Sequence, residues 1–327
     1  MFFVTGGTGL LGNCIVRELC RRNLHVRVLC RQTEVPESLA GLPIEIVNGD
    51  LDSPELDDFI DGCEAVFHSA AYIHIGWQRL EESRRVNVRG TQNIVNACAQ
   101  AHCKLLHIST VDTLPAAPNI ESPINESGET PNGQRGIAKV LCSYVLSKQE
   151  AEAVVDRATA SDEIESVVLK PGFMLGPYDW KPSSGRMMLE VSKAPIVVAP
   201  PGGCSVCDAR DVASAVVDSA GSASGQKFAL AGTNISYQAF WQQILKTAGS
   251  SKRALKLGPF AKHTSVALDW YNKLIRRNEG DLNSAAVRMG YLGHYYNSEK
   301  AERELGYCRR PMEETLKDAW RWLNRSK

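Results

Sequence analysis

The chain has 327 residues, and its 37 Lys plus Arg balance 37 Asp plus Glu. A net charge of zero gives no electrostatic case for nucleic acid or an anionic membrane surface as the main partner. With 43% hydrophobic and 23% charged residues, the chain reads as one large or two medium globular domains rather than a disordered polymer.

Residues 1–5 form a short apolar run that ends in glycines, and Leu11, Ile15 and Leu19 then recur at helical spacing. Val26, Val28 and Cys30 alternate as a second strand. Ile44 to Val47 predicts a third strand and Ala65 to Phe67 a fourth. A long helical stretch spans about 78–101, Leu105 to Ile108 is a fifth strand, a helix carries Tyr144 to about Ala158, and Val167 to Leu169 is a sixth strand. Strand–helix alternation predicts a parallel sheet covered on both faces. Beyond Pro171 the pattern breaks: 171–203 is rich in Pro, Gly and Met, Phe228 to Leu230 is one more strand, and 236–327 reads as mostly helical. In the last helix Leu316, Ala319, Trp320 and Leu323 share one face as a packing stripe. Basic residues among apolar ones at 252–277 read as an amphipathic helix with a solvated face.

The expected fold is therefore α/β, a doubly wound parallel sheet with a smaller, mostly helical C-terminal part. Glycines at 6, 7, 9 and 12, between the first strand and the first helix, make the sheet Rossmann-type and its domain, expected at 1–170 with 204–232 returning to it, dinucleotide-binding. The smaller part, expected at 171–203 and 233–327, would then bind the substrate. No apolar run reaches the ~18 residues of a membrane helix, and the start lacks the basic and apolar regions of a secretory signal. Ten scattered cysteines then point to reduced thiols and a cytoplasmic location. Cys204-x-x-Cys207 has no second pair, and the seven histidines (25, 68, 74, 102, 107, 263 and 294) show no ligand spacing. No metal is expected.

Residues 5–12 read Thr-Gly-Gly-Thr-Gly-Leu-Leu-Gly between a strand and a helix. Gly6, Gly7, Gly9 and Gly12 permit a tight turn, close approach of backbone N–H groups to a pyrophosphate and close helix–strand packing, with Thr8, Leu10 and Leu11 completing the loop. The helix N-terminus adds partial positive charge. At the end of the second strand the residues are Cys30-Arg31-Gln32, with no carboxylate for the ribose 2′-OH of NAD. Arg31 would suit a 2′-phosphate, so NADP(H) is favoured and NAD(H) stays open. Tyr144 and Lys148 lie four apart on one helix face. A free tyrosine titrates near ~10, and a nearby ammonium would lower that value and fit the phenol for proton transfer. Ser109-Thr110, at the end of the fifth strand, offers a hydroxyl to hold a carbonyl oxygen.

These motifs together resemble the extended short-chain dehydrogenase/reductase family. Besides the glycine loop they are Gly-Asp-Leu at 49–51, His-Ser-Ala-Ala at 68–71, Asn87 in Val-Asn-Val-Arg-Gly-Thr, and Ile-Ser-Thr at 108–110. Tyr144-x-x-x-Lys148, Lys-Pro-Gly-Phe-Met-Leu-Gly-Pro at 170–177, Asp-Ala-Arg-Asp-Val-Ala at 208–213 and the stretch 298–307 complete the series. The resemblance spans essentially the whole chain. It implies that Asp50 and Leu51 contact the adenine, that Ala70 and Ala71 line the path to the nicotinamide ribose, and that Asn87 supports the site. It implies further that Thr110 is the catalytic hydroxyl with Ser109 as fallback, that Tyr144 is the acid/base and Lys148 its helper, and that Pro171 and Gly172 face the nicotinamide.

Within the family the chain looks most like dihydroflavonol-4-reductase and related carbonyl reductases. Phe173 stands where sugar-nucleotide members usually carry Asn. The alternative is a sugar or sugar-nucleotide epimerase or dehydratase with tightly bound NAD, since hopanoid-associated epimerase-like proteins share a stretch resembling Gly176 to Pro182. A non-catalytic dinucleotide sensor is a further alternative. The expected substrate is a small carbonyl compound or the matching alcohol, in a pocket lined by Tyr72, His74, Trp77, Phe173, Met174 and Tyr178. Relatives often dimerise through the helices corresponding to 78–101 and 139–158, so a homodimer is compatible with the reading.

Overall fold

The structure is a computed structural model that describes residues 1–137, 139–258, 279–280 and 283–325. From residue 259 on, the expected basic helix lies outside the described residues. In chain order the first elements are β1 (Phe2–Thr5), α1 (Leu10–Arg21), β2 (Val26–Cys30), β3 (Glu45–Asn48), α2 (Leu56–Ile60) and β4 (Ala65–His68). The long expected helix is α3 (Leu80–Arg84), a π-helical turn (Arg85–Arg89) and α4 (Gly90–Ala101) in succession. β5 (Lys104–Ile108), α5 (Ser143–Ala160), β6 (Ser166–Pro171), β7 (Phe173–Leu175), α6 (Ser184–Lys193), β8 (Val197–Ala199) and β9 (Gly203–Asp208) follow. The chain continues with α7 (Ala209–Asp218), β10 (Gln226–Leu230), β11 (Thr233–Ser236), α8 (Tyr237–Thr247) and β12 (Ala254–Lys256). The last described helices are α9 (Ser284–Gly290), α10 (Glu299–Leu305) and α11 (Met312–Leu323).

Seven strands form one parallel sheet in the order β10-β6-β5-β4-β1-β2-β3. Successive side chains of a strand point to opposite faces, so neighbours in sequence build two different cores. Val4, Phe67, Leu106 and Leu169 pack with α1 and α7. Phe3, Val66, Leu105 and Val168 pack with α4 and α5 on the other side. The strand order reverses between β1 and β4, and in such sheets the ligand crevice opens there, beyond the C-terminal strand ends. The return into this sheet after β7 is made by α7 and β10, whereas β9 joins a second sheet in the order β11-β9-β7. A third core holds the smaller part together, with Met188, Val206, Phe240, Ile244, Leu316 and Ala319 buried in it. The expected stripe on the last helix is thus its packing face.

His68 and His107 sit buried side by side on β4 and β5, with ring centroids 5.6 Å apart. Burial, reinforced by the Lys148 charge, pushes His68 down to about 3 and His107 well below its ordinary value. Both imidazoles are therefore neutral in the fold, whereas an unfolded histidine titrates near ~6.5. Their contribution to stability is complete above about pH 6.5 and shrinks as pH falls from there toward the folded values, because the unfolded chain then binds more protons. Urea-denaturation midpoints should fall between pH 7 and pH 5. His107→Leu, which removes two unpaired buried ring nitrogens, should make that fall shallower than in the parent protein.

Candidate active site

The glycine loop joins β1 to α1 as a turn that no larger residues could form. Gly6 has φ +72°, and a Cβ there would sit 2.6 Å from the Ala70 nitrogen. A Cβ on Gly12 would lie 2.2 Å from the Gly6 carbonyl oxygen, and one on Gly7 would meet Val28 at 2.6 Å. Gly7 and Gly12 are therefore packing glycines, and Leu10 and Leu11 point into the core. Gly6, Thr8 and Gly9 face a cleft of about 550 Å³. Arg31, Asp50, Leu51, Ala70, Ala71 and Tyr72 line the same cleft. Gly9 caps α1 without a side chain, and the first turn of α1 carries no acid. The N–H groups of that turn are thus left to an anion. The loop residues thus fit a dinucleotide pyrophosphate.

Asn87 supports the cleft rather than lining it. It sits in the π-helical turn, an irregularity that often marks a functional position. Its Oδ1 accepts the Tyr72 N–H at 2.7 Å, and its Nδ2 donates to the Tyr72 carbonyl and the Ser147 hydroxyl, both at 2.9 Å. One amide thereby ties the cleft wall to α5. Below it, Thr91 donates to the Asn87 carbonyl at 2.6 Å and contacts His68 at 3.1 Å, and His68 in turn contacts Thr5 at 2.8 Å. Thr5 accepts the Ala70 N–H at 3.2 Å.

The expected catalytic residues Thr110, Tyr144 and Lys148 lie just beyond the end of β5 and in the first turns of α5. Ser109 and Thr110 are adjacent and point to different surroundings. Ser109 donates to the buried Glu152 carboxylate, which also accepts from Thr113 at 2.7 Å and pairs with Lys170. Burial alone would raise Glu152, but Lys170 and these donors hold it below the ordinary carboxylate value. Ser109 is thus committed to a structural carboxylate. Thr110 instead lies against the Tyr144 phenol, and its hydroxyl accepts the Asp112 N–H at 3.2 Å. Lys148 donates to the Ile108 carbonyl at 2.7 Å, and burial brings it down to about 8. Burial and the Asp112 carboxylate push Tyr144 above its ordinary value, and only Thr110 works clearly against them. The expected lowering of Tyr144 by Lys148 is not what this geometry produces.

Sequence reasoning missed two residues here. Asp112 stands 3.1 Å from His294 Nδ1 across the two parts of the molecule. Glu279 accepts the N–H groups of Trp77 at 2.9 Å and Gln78 at 2.8 Å and contacts His74 at 3.0 Å. No local pattern could flag either, because each partner lies far away in sequence. His74 and Trp77 belong to a loop fastened to the C-terminal part, with the Trp77 indole donating to Ser284 at 2.8 Å. The same loop reaches α5 through the Ser143 N–H, which donates to the Gly76 carbonyl at 2.8 Å.

Other expected pocket residues are placed elsewhere. Phe173 packs edge-on against Phe240 at 5.9 Å in the small core, and Met174 lies against the sheet core. Tyr178 packs edge-on against Trp322 at 5.0 Å and lines a separate groove beside α1 and α7. Pro171 is buried at the end of β6, and Gly172 packs so closely on β9 that a Cβ would sit 2.6 Å from the Ser205 oxygen. Cys204 and Cys207 are both buried, and burial raises their thiols, so neither is a ready nucleophile or ligand. Among the described residues no cluster of His, Cys, Asp and Glu could hold a metal ion. No described helix is long and apolar enough to cross a membrane.

The sequence model of the NAD dependent epimerase/dehydratase family matches residues 2–221. The chain belongs to that family. A dihydroflavonol 4-reductase-like protein of Synechocystis sp. is 30% identical over 98% of this chain and 94% of its own length. A ketoreductase of Stigmatella aurantiaca, named for a 4-hydroxy-2-methyl-3-oxo-4-farnesyl-3,4-dihydroquinoline-1-oxide substrate, is 26% identical over 98% of this chain and 95% of its own length. The crystal structure of gox2253 superposes with a TM-score of 0.85 at 27% identity, covering 100% of this chain and 99% of that one. Family and relatives make this an NAD(P)-dependent enzyme of the oxidoreductase and epimerase kind that acts on small molecules.

Asn87→Ala should remove three hydrogen bonds and leave Tyr72 without its partner. A loss of about 1–3 kcal/mol in urea denaturation is expected, with weaker dinucleotide binding because Tyr72 lines the cleft. Asn87→Asp keeps the acceptor for the Tyr72 N–H but loses both donors, and should fall between the two proteins in both measurements.

Proposed function

We propose that the protein reduces a ketone or aldehyde, or oxidises the matching alcohol, with NADP(H). The observation that carries this reading is the contact of the Thr110 hydroxyl with the Tyr144 phenol just beyond β5, with the Lys148 ammonium held on the Ile108 carbonyl at the end of that strand. Gly6, Thr8 and Gly9 would hold the pyrophosphate, Asp50 and Leu51 the adenine, and Ala70 and Ala71 the path to the nicotinamide. Pro171 and Gly172 would back the nicotinamide from β6, and Lys148 would bind its ribose. When bound, the reduced nicotinamide supplies the hydride. Thr110 then holds the carbonyl oxygen, and Tyr144, kept protonated by burial and Asp112, delivers its proton to that oxygen.

An apolar carrier for the carbonyl suits the surroundings. Ile73, Ile75 and Trp77 on one loop and Leu141 just before α5 all present apolar surface outward, and the two segments are joined through Ser143. The names of the reductase relatives support the same reaction class. The free thiols of all ten cysteines suit a reducing, cytoplasmic compartment. The family's description favours a second reading, an epimerase or dehydratase with retained NAD. Denaturing the purified protein and identifying released dinucleotide by mass spectrometry separates the two. Stoichiometric NAD would support the second reading, whereas exchangeable NADP would support the first.

With NADPH and a panel of aldehydes and ketones, Tyr144→Phe should lose about 10²- to 10⁴-fold in turnover while dinucleotide affinity, read by calorimetry, stays unchanged. Undiminished turnover would overturn the assignment of Tyr144. Thr110→Ser should keep most activity and Thr110→Val little. The rate of reduction should fall as pH rises past about 8, where Lys148 loses its proton. Lys148→Arg, charged at every working pH, should shift that fall upward in a pH–rate profile.

A further inference from the structure

The cofactor cleft does not end at Arg31. A side cavity of about 600 Å³ opens beside it, and the two share Thr8, Arg31, Gln32 and Lys181. Lys181 is the unexpected member. It comes from the segment between β7 and α6, outside the seven-stranded sheet.

The residues around Lys181 are pinned on both sides. Asp179 is buried, and its carboxylate accepts the Ser183 N–H at 3.1 Å and the Gly185 N–H at 3.0 Å. Trp180 packs edge-on against Trp322 at 4.9 Å, with the Arg325 guanidinium 4.5 Å from its ring centre. Tyr178 takes a left-handed φ of +72° and lies under Arg17, 4.2 Å away. The hook so formed leaves Lys181 exposed beside the cleft. Among the described residues neither Arg31 nor Lys181 has an ion-pair partner. Glu34 and Glu37 also line the side cavity, but pair with neither cation.

We propose that Lys181 acts with Arg31 to bind the 2′-phosphate of the cofactor, so that the segment between β7 and α6 helps select NADP(H) over NAD(H). The amides of the glycine loop would meet the pyrophosphate, whereas the adenosine ribose of this fold lies at the end of β2. A 2′-phosphate there would stand between a planar guanidinium and a flexible ammonium, with the Thr8 hydroxyl and the Gln32 amide as further donors. Arg31 offers a bidentate fork and Lys181 a point charge that reaches across the opening.

This rests on the reading of NADP(H) as the cofactor, and one set of titrations tells the two apart. The full chain is titrated calorimetrically with NADP⁺, NAD⁺, 2′,5′-ADP and 5′-AMP, as the parent protein and as Lys181→Gln, Lys181→Arg and Arg31→Gln. Lys181→Gln is expected to weaken NADP⁺ and 2′,5′-ADP by about tenfold and to leave NAD⁺ and 5′-AMP unchanged, with Lys181→Arg recovering most of the loss. A parent protein with no preference for NADP⁺ over NAD⁺ overturns the NADP(H) reading and the proposal with it. A preference that Arg31→Gln abolishes but Lys181→Gln leaves intact overturns only the proposal. Equal weakening of NADP⁺ and NAD⁺ by Lys181→Gln also overturns it, since Lys181 would then not read the 2′-phosphate.

Discussion

The site depends on one buried carboxylate. Glu152 of α5 accepts hydroxyl donors from Ser109 and Thr113 and pairs with Lys170 of β6. Lys170 also donates to Thr113 at 2.8 Å. A charge in that position is tolerable only because a cation and two donors surround it. The cluster fastens α5 to the ends of two neighbouring strands at once. Because Tyr144 and Lys148 lie two and one helical turns before Glu152, their place over β5 follows from this anchor. Thr110 follows too, since the engagement of Ser109 turns the next residue toward the phenol.

A second set of links joins the cleft to the rest of the molecule. Asn87 holds the Tyr72 backbone to α5, and Glu279 with Asn283 holds the loop beyond it to the C-terminal part, where Asn283 donates to the Ile75 carbonyl at 2.7 Å. The Asp112–His294 contact crosses the same boundary, and Asp112 is one of the groups that keep Tyr144 protonated. The phenol's titration is thus set by burial and by Asp112, the environment of the group rather than its partner in a motif.

The departures from sequence reasoning have local causes. Tyr178 follows Phe173 closely in sequence and was expected beside the substrate. The left-handed backbone at Tyr178 and the hook built on Asp179 turn it to the outer groove instead. Phe173 goes to the small core because β7 pairs with β9 rather than with the large sheet. Lys148 was expected to lower Tyr144, but its ammonium is engaged by the Ile108 carbonyl.

The amino-acid sequence by itself determined the alternation of strands and helices, the glycine turn, and the pairing of Tyr144 with Lys148 on one helix face. Each of these is a short-range property: strand period, helix period, or a turn that only glycine can make. It also determined the absence of a carboxylate at Arg31. Tertiary structure alone decided which of Ser109 and Thr110 faces the phenol, because adjacent residues take opposite sides and only the position of Glu152 tells them apart. It alone decided that Glu279, His294 and Lys181 belong near the site, since Glu279 and His294 meet partners, and Lys181 shares a cleft with residues, more than a hundred positions away. Contacts of that range are set by how the smaller part folds back across the sheet, and no local spacing encodes them.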